Sequence, residues 1–208
     1  MDDVKHKDAL LTALLPEVPF DGWTRAAMRR AAVPVAMDEG ELQRLFPRGP
    51  RDVVAWFSRW ADRETLAAVT KPRRQNLRTS ERVALGVRTR LEILLPHREA
   101  VRRSLSLMAL PQNLALGTKL LYETVDTIWH AAGDTATDFN FYTKRALLAG
   151  VYTATTLYWL DDRSEGTAAT EAFLDRRLAD VAAIPRLKGA VTRMPNPLRV
   201  LRAARAFF

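Results

Sequence analysis

The chain has 208 residues, 48% of them hydrophobic, with a formal charge of +8 and no cysteine. That length and apolar share suffice to bury a substantial core, while the lack of cysteine excludes disulfides, thiol catalysis and cysteine-ligated metals. The charge is polarised: no acidic residue follows Asp180, and a second basic block runs through Lys71, Arg73, Arg74, Arg78, Arg82, Arg88 and Arg90. Nucleic acid and an anionic membrane are the usual partners of such a surface.

The opening residues, Met1 to Asp8, are charged and read as neither a secretory signal nor a transit peptide. No apolar run approaches the roughly 18 residues of a bilayer span, so an intracellular, non-spanning chain is expected. Leu10, Leu11, Leu14 and Leu15 close a first helix at Pro16. Asp21 or Thr24 caps a second, short helix that ends near Val33 and Pro34. Asp38 or Glu39 opens a third, which Pro47 terminates, and a longer helix starts at about Pro50 and carries Trp56, Phe57 and Trp60. Beyond a basic linker around Val69 to Asn76, apolar periodicity predicts helices near residues 80 to 93, 96 to 108, 112 to 132, 138 to 161 and 167 to 183. No strand signal survives, so the fold class is all-α.

Pro185, Gly189, Pro195 and Pro197 punctuate the carboxyl end, which therefore does not read as one long helix. Asn196-Pro197 opens a final amphipathic element. Leu198, Leu201, Phe207 and Phe208 supply its apolar side and Arg199, Arg202 and Arg205 recur beside them, the pattern of a helix lying at a membrane surface. Each arginine near an anionic surface contributes on the order of 1 kcal/mol.

The stretch from Trp129 to Arg145 carries most information. Gly133 supplies a positive φ that ends one helix, and Asp134, Thr137 or Asp138 caps the next. On the residues alone this is a helix corner with Phe141 and Tyr142 on the first turn, either half-buried or on display. The run Gly133, Asp134, Thr137, Asp138, Asn140, Tyr142, Thr143, Lys144 and Arg145 resembles, in order and spacing, a family of ubiquinone-biosynthesis accessory proteins. These are lipid-binding partners of the demethoxyubiquinone hydroxylase. Ala136 stands where the family usually has Ser, and Phe141 where it usually has Trp. The resemblance continues through Arg145 to Thr153, Phe173 to Val181, Val18 to Trp23 and Leu45 to Gly49, and so spans most of the chain.

That resemblance implies a TetR-like architecture, as do three short helices ahead of longer ones. The expected organisation is a helix-turn-helix-like unit over residues 1–70, a lipid-binding and dimerisation region over 71–183, and a basic membrane-surface tail over 184–208. It further implies a pocket for an isoprenoid quinone precursor among Leu116, Leu120, Ile128, Trp129, Leu147, Leu148, Val151, Tyr152 and Trp159; periodicity alone does not separate these positions from plain core. Asp138, Phe141 and Tyr142 would dock the hydroxylase, and a homodimer is implied. The expected ligand is the lipid, with no cofactor and no metal. The expected location is cytoplasmic, peripheral at the inner face of a bacterial plasma membrane.

The alternative from the same fold is a TetR-type ligand-responsive regulator. Its reading helix would present Asp38, Glu39 and Glu41 against only Gln43 and Arg44, and carboxylates facing phosphates repel them, so no specific nucleic acid is expected. Enzymatic activity is not expected either. His6, His97 and His130 stand in no Glu-x-x-His pair of a di-iron bundle, and no nucleophile elbow or phosphate-cradling loop is present.

Overall fold

The computed structural model describes residues 2–70, 77–134 and 139–192, and every regular element among them is helical. The amino-terminal unit consists of α1 (Asp2–Leu14), the short α2 (Val18–Asp21), α3 (Arg25–Ala32) and α4 (Glu39–Leu45). Local chemistry sets their starts. The Thr24 hydroxyl accepts the Ala27 N–H at 3.1 Å, and Asp38 Oδ1 accepts the Glu41 N–H at 2.7 Å. Leu10, Leu14, Ala27, Met28, Leu42 and Phe46 fill the space between these helices and α5.

α5 (Pro50–Val69) begins with proline in its first turn, after Gly49 at φ +66°. Val53, Val54, Phe57, Ala61 and Thr65 make its buried stripe at helical spacing. That face packs against α6 (Thr79–Leu94) and α8 (Leu114–Ala131), which with α7 (Arg98–Met108) and α9 (Phe139–Asp161) surround the middle of the molecule. α6 and α8 approach closely at Gly86, where a Cβ would lie 2.9 Å from Ile128 Cγ2. One hydrophobic core runs from Leu10 to Leu174, continuous across residue 70.

α10 (Ala168–Thr192) packs on α9. Asp162 prepares its start: one carboxylate oxygen accepts the Thr170 N–H and hydroxyl at 2.9 and 2.5 Å, and the other accepts the Ser164 N–H and hydroxyl at 2.8 and 2.6 Å. Burial alone would raise the pKa of this carboxyl, but the Ser164 and Thr170 bonds hold it far below the ordinary range. The sequence predicts that this helix stops at 183, yet it continues past Pro185 to Thr192. A proline removes one donor from the ladder, and the neighbouring bonds carry the helix on. The amphipathic element expected at Leu198, Arg199, Leu201, Arg202, Arg205, Phe207 and Phe208 lies outside the described residues, as does Asp138.

Candidate functional site

Helices α5 to α9 enclose a cavity of about 310 Å³. Phe57, Leu94, Val101, Met108, Leu120 and Leu121 form apolar wall. Three further lining leucines are open to solvent and mark the mouth: Leu105 is 39%, Leu114 53% and Leu157 55% exposed. The floor, the most buried part of the lining, joins Val54, Phe57, Leu94 and Leu120 to two polar side chains, Arg90 and Thr124, that are almost wholly buried. The Arg90 guanidinium donates to Asp62 Oδ1 at 2.6 Å, to Tyr152 Oη at 2.8 Å and to the Ser58 carbonyl and hydroxyl at about 3.3 Å. Thr124 donates to the other Asp62 oxygen at 3.3 Å.

The electrostatics follow from burial. Desolvation works against the Arg90 charge, but Tyr152 and Asp62 outweigh it and raise its pKa. Burial pushes the Asp62 carboxyl above its ordinary range, against the pull of Arg90. The short contact between the two keeps the pair ionic and locally neutral.

Of the residues expected to line a pocket, Leu120 and Tyr152 face this cavity. Ile128, Leu148, Val151 and Trp159 sit in the core, while Leu116, Leu147 and Trp129 are half-buried beside it. Arg90 and Asp62 carried a signal of their own. Each falls on the apolar stripe of its helix, Arg90 between Val87 and Leu94 and Asp62 beside Ala61, where a lone charge requires a buried partner. The basic block, for which the sequence left several fates open, is partly internal. Arg90 is buried, Arg88 pairs with Asp175, and Arg82 Nε donates to the Leu77 carbonyl at 2.9 Å.

The second feature is the corner between α8 and α9. The Gly133 N–H bonds to the His130 carbonyl and the Asp134 N–H to the Trp129 carbonyl, at 2.9 and 3.1 Å, with Gly133 at φ +80°. This is a Schellman ending. The Asp134 carboxylate, itself buried, takes Lys144 Nζ at 2.9 Å and Arg145 Nη1 at 3.4 Å. Arg145 also donates through Nε to Asp126 at 2.7 Å, and its guanidinium lies 3.3 Å from the Phe141 ring centre. The Lys144-Arg145 pair thus ties the second turn of α9 back to the end of α8. Phe141 is half-buried under Arg145, and Tyr142, packed edge-on to Phe141, is 68% exposed.

The amino-terminal cations are engaged in the same way. Arg29 pairs with Glu39, Arg30 with Glu17 and Asp21, and Arg44 with Asp3. His6 bonds Glu41 at 2.6 Å, and His97 lies edge-on to Phe57 and Trp60, where burial lowers its pKa. Among the described residues no group of three or more His, Asp and Glu side chains could hold a metal ion, and no helix is long and apolar enough to cross a membrane.

Comparison with known proteins adds a pedigree. Residues 114–185 match the COQ9 family model. The chain is 34% identical over 185 residues to the mitochondrial ubiquinone biosynthesis protein COQ9 of Rattus norvegicus, covering 86% of this chain and 59% of that protein. The Homo sapiens COQ9 protein is 32% identical, with 86% and 58% covered, and that of Drosophila melanogaster 31%, with 86% and 55% covered. The chain thus spans less than two thirds of these relatives' length. The crystal structure of a TetR transcriptional regulator from Nitrosomonas europaea superposes with a TM-score of 0.69, covering 85% of this chain and 97% of that one at 21% identity. That identity speaks for the fold alone: the architecture is TetR-like. With COQ9 proteins as the sequence relatives and Arg29, Arg30 and Arg44 held by carboxylates, the regulator alternative is not favoured.

One expectation is corrected. The expected location was the inner face of a bacterial plasma membrane, but the rat, human, bovine and fruit-fly relatives are mitochondrial proteins by name. Composition and surface charge report affinity for an anionic surface, not which compartment supplies it.

Proposed function

On the premise that the chain is a COQ9 relative, with residues 114–185 belonging to that family, we propose that it acts in ubiquinone biosynthesis as a lipid-binding accessory protein. In this reading the cavity takes part of an isoprenoid quinone precursor, and the corner at Asp138, Phe141 and Tyr142 docks the di-iron demethoxyubiquinone hydroxylase that carries out the chemistry. The chain itself is not the catalyst. The observation that carries the proposal is α9. This one helix bears Tyr142 on its first turn and Tyr152, Thr156 and Leu157 on the cavity. Its rise of about 1.5 Å per residue separates Tyr142 from Tyr152 by about 15 Å.

The carboxyl residues Leu198, Arg199, Leu201, Arg202, Arg205, Phe207 and Phe208 are proposed to land the protein on an anionic membrane. The outer face of α9 and α10, where Tyr158 stacks on Phe173 at 4.6 Å, is proposed as the homodimer surface. The test of the central claim is mass spectrometry of lipid extracted from purified protein, against an empty-vector preparation. A stoichiometric isoprenoid quinone or demethoxy precursor supports the reading, and an empty protein or random phospholipid refutes it. Deleting residues 196 to 208 should abolish sedimentation with anionic vesicles, and unchanged sedimentation would remove the tail from the scheme.

A further inference from the structure

The connection between α7 and α8 is unlike the rest of this charged chain. The fifteen residues from Ser104 to Thr118 include no Asp, Glu, Lys, Arg or His, where the chain's 27% charged content would place about four. They form the end of α7, a 3₁₀ turn at Pro111–Asn113 and the start of α8. Gly117 lets the two helices close behind this tip, since a Cβ there would lie 3.2 Å from Met108 Cβ.

Apolar side chains point outward here. The described residues expose five leucines, and four of them gather at this place. Leu110 is at the tip and 41% exposed, with Leu105 and Leu114 on either side and Leu157 beside them on α9. Leu105, Leu114 and Leu157 border one cavity, which makes them neighbours. Ala109, Pro111 and Ala115 are exposed as well. Single leucines at a surface are ordinary, whereas a group of four marks a contact face.

Polar groups turn the other way. Ser104 donates to the Ala100 carbonyl at 2.8 Å, Ser106 to that of Arg102 at 3.2 Å and Thr118 to that of Leu114 at 2.9 Å. The buried Asn113 donates through its amide to the Leu107 carbonyl at 2.9 Å. The backbone of the turn also closes on itself: the N–H groups of Ala109, Leu110 and Asn113 reach the carbonyls of Leu105, Leu107 and Leu110. Pro111 has no N–H to satisfy.

This arrangement selects the occupant. A protein interface exchanges about one hydrogen bond per 100–200 Å², and this face has almost none to offer. A hydrocarbon boundary requires the reverse, with leucines outward and every polar group satisfied within. The flanking cations Arg102, Arg103 and Lys119 are matched by Asp161, Glu99 and Glu123. Nothing in the face therefore requires an anionic surface.

We infer that the α7–α8 tip is a membrane-inserting wedge, with Leu110 leading and Leu105, Leu114 and Leu157 behind it, entering the acyl boundary by apolar burial. It is separate from the basic carboxyl element and does not depend on what the cavity holds. The lack of cysteine makes the test direct. Leu110→Cys and a control, Phe20→Cys, are labelled with a polarity-sensitive nitrobenzoxadiazole dye in the full-length protein. Phe20 is 85% exposed but lies on α2, away from the tip and next to Asp21. Each is mixed with phosphatidylcholine vesicles at low and high salt, with and without spin-labelled lipid.

The dye at 110 is expected to shift to the blue, to lose access to iodide and to be quenched by shallow spin labels, equally at both salt concentrations. The dye at 20 should do none of these. Leu114→Asp should weaken sedimentation with the same vesicles about tenfold. Its melting temperature should hold, because a carboxylate is well placed at a helix start. A water-exposed dye at 110, equal shielding at 20, no binding to neutral vesicles, binding abolished by salt, or an unaffected Leu114→Asp would each overturn the inference. So would shielding without vesicles that grows with protein concentration, which would assign the face to a second copy. None of these outcomes bears on lipid extracted from the cavity, which tests the proposed function on its own.

Discussion

Removing Arg90 is the most demanding test of the cavity floor. Arg90→Met keeps most of the side-chain volume but deletes the bonds to Asp62, Tyr152 and Ser58. Asp62 then retains, of its floor contacts, only the 3.3 Å bond from Thr124. Breaking a buried pair from one side costs about 3–5 kcal/mol, because the surviving charge is left uncompensated. For a chain of this size that lowers the melting temperature by roughly 6–20 °C. The pH dependence identifies the cause. Burial already raises the Asp62 pKa, and without Arg90 it rises further. A carboxyl whose folded pKa lies above its unfolded value of about 3.9 takes up its proton more readily when folded. The deficit is therefore full above the folded pKa and shrinks as pH falls through it. The double variant Asp62→Leu with Arg90→Met should recover most of the loss. Melting curves from pH 4 to 8 decide. A loss below about 1 kcal/mol, or one that does not shrink on acidification, would refute the reasoning that an ionised Asp62 is sealed beneath the cavity.

Tyr142→Ala should abolish capture of the hydroxylase in a pull-down while shifting the melting temperature by less than about 2 °C, since an exposed side chain contributes within about 0.5 kcal/mol. Asp162→Asn should cost on the order of 2 kcal/mol at neutral pH. Because the folded carboxyl is held far below its ordinary pKa, that contribution is present above about pH 4 and fades as pH falls further; the variant and native stabilities should converge there in urea titrations. Gly86→Ala should destabilise by about 1 kcal/mol despite alanine's better helix propensity, because the new methyl meets Ile128 Cγ2 at 2.9 Å, and a stabilised variant in the same titration would contradict that close packing.

Helix identity was open to reading from the sequence because each helix carries an apolar stripe and its own punctuation: Thr24 and Asp38 at starts, Gly133 at an end, Pro50 in a first turn. What periodicity could not do was divide the stripe between core and cavity. Leu120 and Leu148 are equally apolar and both buried, yet only the first borders the cavity. That difference lies in how five helices fail to meet, a property of no single segment. The floor was hidden for another reason. Arg90 lies in a basic block that reads as solvated surface, and its partner Asp62 is 28 residues away on another helix. The corner lay between these cases. Its motif was plain, but not that Lys144 and Arg145 secure Asp134, because the return from α9 to α8 exists only after folding.

These observations bear on how a bound lipid would be passed on. Two buried ion pairs brace the ends of this region, Arg90 with Asp62 under the cavity and Arg145 with Asp134 at the corner. The mouth, marked by Leu157, lies 15 residues beyond Tyr142 along α9, about 22 Å at helical rise. A partner footprint of about 800 Å² per side spans such a distance. A protein anchored at the corner therefore reaches the leucine rim if it lies along α9. In the proposed function the corner is the docking point and the cavity mouth the exit, and the length of α9 fixes the distance between the two.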